Sequence, residues 1–235
     1  MNNPLEHTHR EEEGHWISVS DLMSGLMMVF MLVAIVFMIS VETERDKIRD
    51  VAILYDTLRT QLYEDLYNEF KPDMARWGAE IDKDLTFRFN NTEVLFDQGK
   101  ADLKDEFKNI LSEFFPRYLR IITQEKYRHD ILEVRIEGHT SSGWAGAKDA
   151  DEAYVRNMNL SQERTRSALV YVLELPQVEA EKPWLKTHLT ANGLASAKVI
   201  RDANNKEDFE RSRRVEFKVR TDAEGRIATI LEQVQ

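Results

Sequence analysis

Hydrophobic and polar positions divide the chain into three regimes. Twenty residues from Leu22 to Val41 carry no charge and are broken only by Ser24, Gly25 and Ser40, with Asp21 at their N-terminal edge. At about 1.5 Å per residue such a run makes roughly 30 Å of helix, the thickness of a bilayer's hydrocarbon core. The pattern predicts a transmembrane helix over 16–41, with Trp16 as an interfacial anchor. Residues 1–15, which include His7, His9 and His15 among glutamates, show no apolar period and read as a solvated cytoplasmic tail. Beyond the span, Ile48, Val51, Tyr55, Leu58, Leu62, Leu66 and Phe70 recur at steps of three and four up to Pro72. They predict an amphipathic helix within a connector, 42–84, that either packs on its own domain or pairs with a second copy as a short coiled coil. A second helical piece is expected around Met74, Trp77 and Ile81.

From Leu85 the period changes to two. Leu85-Thr86-Phe87-Arg88-Phe89 reads as a strand, and Val94-Leu95-Phe96 continues in β-type residues before a turn at Gly99. A helix through Leu103, Phe107, Leu111, Phe114 and Phe115 follows, then a strand over 132–136, a helix after Asn159, a strand near Leu189 and a last strand over 215–219. The alternation predicts an α+β fold, helices on one face of a small βαβαββ sheet over 85–221, with 222–235 as a C-terminal tail.

Composition removes several functions. The 235 residues carry a net charge of −10 and offer no basic stripe for phosphates, so direct nucleic-acid binding is excluded. With no cysteine there is neither a disulfide frame nor a thiolate metal site. A cleaved signal peptide fits poorly, because the apolar run exceeds an h-region, its leader is acidic and Ile39-Ser40-Val41-Glu42 offers no small-x-small site. Lys and Arg counting, with Arg10 before the span and Arg45, Lys47 and Arg49 after it, would place the C-terminal side in the cytoplasm. The interleaved Glu42, Glu44, Asp46 and Asp50 weaken that signal, and the motifs below point to a cytoplasmic N-terminus and a periplasmic domain in the bacterial inner membrane.

Three stretches carry a family pattern: Val94 to Leu103; Ile136-Glu137-Gly138-His139-Thr140 with Asn157-Met158-Asn159-Leu160-Ser161-Gln162-Glu163-Arg164; and Arg211-Ser212-Arg213-Arg214-Val215-Glu216-Phe217. In order and spacing they resemble the OmpA-like peptidoglycan-binding family, shared with the MotB type of flagellar stator subunit. The resemblance implies that residues after the Gly-His-Thr turn and the Arg of the Leu-Ser-x-x-Arg helix hold the carboxylate and amine of a peptidoglycan stem peptide. Thr140, Ser141, Asn157, Ser161, Arg164 and Arg213 are the implied contacts. Arg164 is the best suited physically, since its donor fork matches a carboxylate. Asn159 with Gln162 also reads as a helix cap and its partner, which leaves structural roles open for Asn157, Asn159 and Ser161. The chain departs from the family at Ser141-Ser142, where an Asp for the ligand amine is usual, in a longer loop to Asn157, and at Ser212, where Asn is common. Asp149, Asp151 or Glu152 could supply the missing charge.

The segment from Trp16 to Met28 resembles the helix of stator B subunits, which implies that Asp21 is ion-carrying. Ser18, Ser24, Gly25 and Met28 share its helical face and suit close packing of a neighbouring helix. Loss of water there disfavours the ionised carboxylate, so Asp21 can take up H⁺ or Na⁺ and release it when water returns. A snorkelling acid at the headgroups is the plainer reading. A single helix cannot line a conduit, so partners are required. The resemblance implies a ring of a polytopic A-type subunit and a second copy of this chain, and no cofactor other than the transported ion. The acidic tail and short connector look like the B subunits of Zorya antiphage defence motors rather than flagellar stators. A passive cell-wall anchor is the competing class. Catalysis is not expected: His139 lies in the family turn, His129 and His188 have no nucleophile near them in sequence, and there is neither a cysteine nor a metal-type His-Glu spacing.

Overall fold

The computed structural model describes residues 5–90 and 92–222, and the side chains among them at 20–49, 53, 57–90 and 94–222. The side chains of His7, His9, His15, Trp16, Ser18, Val51 and Tyr55, and the tail beyond Asp222, lie outside the described residues. The chain divides into two units, one ending at Ile53 and the other covering Leu54–Arg226.

Helix α1 (Leu5–Trp77) runs through both. It begins inside the segment expected to be a tail. In the first unit Ser20–Arg49 is long and apolar enough to cross a membrane by length and composition. In the second unit the helix continues through Pro72, where the sequence pattern expected a break. Pro72 is exposed, and the missing N–H is tolerated because Leu62, Leu66, Phe70 and Trp77 are buried on both sides of it. Those four residues belong to the core cluster of the folded unit. Gly78 ends the helix at φ +59, and the chain enters a sheet at once.

That sheet contains β1 (Ala79–Ile81), β2 (Thr86–Phe89), β3 (Ile131–His139), β4 (Leu189–Gly193) and β5 (Arg214–Thr221) in the order β1-β2-β5-β3-β4. Only β3 and β4 are parallel, and the crossover between them is long: α5 (Ala150–Glu174), a 3₁₀ helix (Pro176–Glu181) and α6 (Lys182–His188). Preceding β3 are α2 (Thr92–Leu95), α3 (Asp105–Ile122) and α4 (Glu125–Arg128), and α7 (Phe209–Ser212) leads into β5. The edge strand β1 is additional to the expected βαβαββ order, and Ile81 lies in it rather than in a helix. Val94-Leu95-Phe96 is not a strand: Val94 and Leu95 close α2, and Phe96 makes a single bridge to Leu103 around the Gly99 turn.

One face of the sheet is apolar. Phe87, Phe89, Val134, Ile136 and Phe217 alternate onto it and are buried. Phe114 of α3 is the hub, with ring centroids 4.6 Å from Phe87, 5.1 Å from Phe70, 5.2 Å from Phe89 and from Phe217, and 5.0 Å from Tyr118. Arg117, one turn of α3 away, lies over the Phe70 ring and pairs with Glu69 at 2.8 Å and Asp73 at 2.8 Å, locking the end of α1 to α3. The Phe114→Ala variant is expected to lose about 3 to 5 kcal/mol of stability through transfer and cavity costs, read as a lowered denaturant midpoint of the purified full chain.

Candidate functional site

Where β3 ends, α5 crosses it closely enough that only glycine fits. A Cβ at Gly138 would stand 2.6 Å from Thr165 Cγ2 and 3.0 Å from the Ser161 carbonyl oxygen. The buried stripe of α5 runs Asn157, Leu160, Ser161, Arg164, Thr165, Ala168, Val172, the spacing of one helical face. Its C-terminal part is apolar and its N-terminal part polar, so polar groups gather beside the strand end. The helix starts nine residues before Asn159: Asp149 is its cap, accepting from the Glu152 backbone N–H at 2.8 Å, so Asn159 is interior and caps nothing.

A cavity of about 400 Å³ opens at this place. Thr140 and Ser141 from the end of β3, Asn157 and Arg164 from α5, and Arg213 from the entry to β5 all line it. Ser161 does not. Its hydroxyl accepts from the Ala195 backbone N–H at 3.1 Å and donates to the Met158 carbonyl at 2.9 Å, which pins the turn after β4 to α5. The sequence reading missed Phe96, Gln98, Gly143, Trp144 and Leu160, which complete the walls. Trp144, a large aromatic in a loop of small and polar residues, was the signal available for them.

Arg164 is 8% exposed. Its Nε donates to the Lys100 carbonyl at 2.9 Å and its Nη2 to the Asp97 carbonyl at 3.1 Å, while the Phe96 ring lies 4.7 Å beneath the guanidinium carbon. No carboxylate pairs with it among the described residues. Burial, and after it the nearby Arg213 charge, pull its pKa down to about 10. Asn157 donates to the Gly143 carbonyl at 3.3 Å, and the Thr140 hydroxyl is buried without a hydrogen-bond partner. The arrangement can accept an anion: two cations, an unspent hydroxyl and an aromatic wall face the same space.

On the other face of the sheet, Glu80, Arg88, Glu216 and Glu137 stand side by side across four strands. Glu216 takes Arg88 Nε and Arg214 Nε at 2.7 Å each. Burial pushes its pKa up, but His139, Arg214 and Arg88 together outweigh this and hold the carboxyl far below the usual range. The His139 ring lies 3.3 Å from Glu216 but off the line of a hydrogen bond, so the two guanidiniums are the firmer partners. Burial lowers the His139 pKa and keeps the ring neutral near pH 7. Glu137, His139 and Glu216 lie close enough to ligate a metal ion, yet the surrounding guanidiniums and Lys198 already supply the positive charge.

In the first unit Asp21 is exposed on α1. Ser24, three residues on, donates to the Ser20 carbonyl at 2.9 Å, and a Cβ at Gly25 would meet nothing within 4 Å, so the small-residue face beside Asp21 is open. Asp149 and Glu152, candidates for a negative charge at the cavity, serve the start of α5 instead, Glu152 pairing with Arg156 at 2.6 Å; neither they nor Asp151 line the cavity.

The chain is 47% identical over 224 residues to the Zorya protein ZorB of Escherichia coli strain ATCC 8739, an alignment covering 95% of this chain and 94% of that one. A second Zorya protein ZorB, from Escherichia coli O139:H28 strain E24377A, is 22% identical over 222 residues, 88% of this chain and 80% of its own. Among solved structures, a MotB-like protein from Desulfovibrio vulgaris superposes with a TM-score of 0.49 at 24% identity, over 72% of this chain and 96% of that one. No protein-family model matches the chain.

Because the folded pKa of Glu216 is depressed, its contribution to stability is present above the unfolded value of about 4.3 and is lost as pH falls below it. Thermal scans of the full chain from neutral pH downward should show the transition falling through that range. In Glu216→Gln the fall should be shallower, with a loss of about 1 to 3 kcal/mol already present at pH 7.

Proposed function

The chain belongs to the ZorB family, and from that membership we propose that it is the peptidoglycan-anchored B subunit of an ion-driven inner-membrane motor of the Zorya defence type. The observation carrying this reading is the extent of the 47% identity, which covers the apolar helix and the folded domain together. It favours a defence motor over a flagellar one. The proposed chemistry is transport rather than bond making.

In this reading the helix crosses the membrane with its N-terminus in the cytoplasm and the domain in the periplasm. Two copies sit within a ring of a polytopic A-type subunit, whose helices close on the open face formed by Ser24 and Gly25 beside Asp21. An ionised carboxylate costs free energy wherever water is excluded from it, so each ring helix that covers Asp21 favours uptake of H⁺ or Na⁺, and each return of water favours release. One charge moved across 100 mV delivers about 2.3 kcal/mol for mechanical work.

The domain holds the complex to the cell wall through the cavity at the end of β3. Arg164 is the principal donor to a stem-peptide carboxylate, with Arg213 adding charge and Thr140, Ser141 and Asn157 fixing the peptide. Binding a fixed polymer prevents the B subunit from turning with the ring, which is the mechanical condition for torque.

Two substitutions test the halves separately. Asp21→Asn keeps the side-chain shape and should leave expression and co-purification with the A subunit intact while abolishing ion flux and phage protection; full protection in that variant would leave only a passive wall anchor. Arg164→Ala removes a charged hydrogen-bonding group worth about 1.5 to 3 kcal/mol, so sedimentation with purified sacculi should weaken about tenfold or more. Sedimentation equal to wild type would remove the cavity from the anchoring role.

A further inference from the structure

The charges around the cavity are one-sided. Arg164 and Arg213 line it, and no Asp or Glu side chain does among the described residues. The acids nearest in sequence to its walls are committed elsewhere. Asp97 turns its carboxylate to Lys100 at 3.1 Å and Lys104 at 3.8 Å, and offers Arg164 only its carbonyl. Glu207 accepts from the Ser142 backbone N–H at 2.8 Å and from the Ser142 hydroxyl. Glu210 stands 3.9 Å from Arg213 and is largely in water. Asp149 and Glu152 begin α5.

A primary ammonium entering such a space would face two guanidiniums and, among the described residues, no carboxylate in the cavity wall. Leaving water for a site of like charge is unfavourable for it. A neutral amide in the same position carries no such cost and can lie against Trp144 and Phe96, while the buried Thr140 hydroxyl, unpartnered within the protein, can hydrogen-bond to it. The low pKa of Arg164 accords with the same imbalance, since Arg213 is the charge that adds to the effect of burial.

We propose that this cavity reads the carboxylate of a stem peptide and not its free amine, so that it takes stem peptides whose side-chain amine is acylated, as in a wall cross-link, at least as well as uncross-linked ones. This rests on the reading of the cavity as a peptide site, and the consequence for the wall is specific. A pocket that needs a free amine can use only stems that have not served as acyl acceptors. A pocket indifferent to the amine can use the cross-linked mesh, the fraction that bears load.

Calorimetric titration of the full-length protein in detergent, with three synthetic stem tripeptides, tests this. One ends in a diamino dicarboxylic acid with its amine free, the second has that amine acetylated, and the third has a free amine but its terminal carboxylate converted to carboxamide. The acetylated peptide should bind as tightly as the free one or more tightly, and the carboxamide about tenfold or more weakly. Ser141→Asp, which places an acid in the cavity wall, should shift preference toward the free amine by about tenfold. A wild-type preference for the free amine of that size would overturn the proposal while leaving peptide binding itself intact. Binding of none of the three, with sacculus sedimentation also absent, would overturn the peptide reading and this inference together.

Discussion

The sheet has one apolar face and one charged face, and most of the structure follows from how the apolar face is covered. Phe87, Phe89, Ile136 and Phe217 point to one side because strand residues alternate, which sends Arg88, Glu137 and Glu216 to the other. A slip of one residue in register would place carboxylates against Phe114 and phenyl rings in water, so the pairing is strongly specified. The cover over the apolar side is supplied partly by α1. Phe70 and Trp77 belong to the same ring cluster as Phe114, and the folded unit therefore begins inside a helix that a composition reading would treat as a linker.

The same alternation prepares the site. Gly138 lies on the covered face at the end of β3, and its missing side chain lets α5 approach until Thr165 and Ser161 touch the strand. What then enters the interior is the polar half of the α5 stripe. A guanidinium removed from water needs oxygens, and Arg164 finds them in the carbonyls of Asp97 and Lys100. These carbonyls belong to the turn that carries Gln98 and Gly99 in the cavity wall. Arg164 thus shapes the wall through one side of its fork while its charge remains unanswered by any described carboxylate. Carbonyl dipoles offset desolvation without neutralising the ion, which is why the side chain is both well held and cationic.

Much of this was legible in the residues. Period-two alternation located β2, β3 and β5, and helical spacing located α3 and the apolar half of α5. The positions tied together by family resemblance, Thr140, Ser141, Asn157, Arg164 and Arg213, are scattered over more than seventy residues of sequence and meet at one cavity. Local signals failed where two arrangements satisfy the same rule. Asn159 with Gln162 has the spacing of a cap, but so has Asp149 with Glu152, and it is Asp149 that accepts the Glu152 backbone N–H and starts the helix. Pro72 breaks an isolated helix; it does not break one fastened by buried rings on both sides. Val94-Leu95-Phe96 has strand composition, yet Phe96 is needed beneath Arg164. Ser161 looked like a ligand contact because the motif includes it, and its hydroxyl holds the turn at Ala195.

Acidic residues expose the limit most clearly. Asp149, Asp151 and Glu152 are available to a sequence reading as negative charge at the cavity, and Asp97 and Glu207 also belong to segments near it. Where a carboxylate points is set by which backbone N–H or cation claims it first: a helix start claims Asp149 and Glu152, Lys100 claims Asp97, and the Ser142 backbone claims Glu207. The net charge of −10 therefore coexists with a cationic hollow. On the proposed function the chain then presents two charges, Asp21 in the span and Arg164 in the domain, whose compensation comes from outside it, from an ion in the first case and from a wall carboxylate in the second. The Arg213 charge disfavours the charged form of Arg164, so an anion bound in the cavity offsets that effect as well as forming hydrogen bonds. Linkage then requires the occupied domain to be more stable than the empty one, which makes attachment to the wall and the integrity of the domain that transmits its load a single equilibrium.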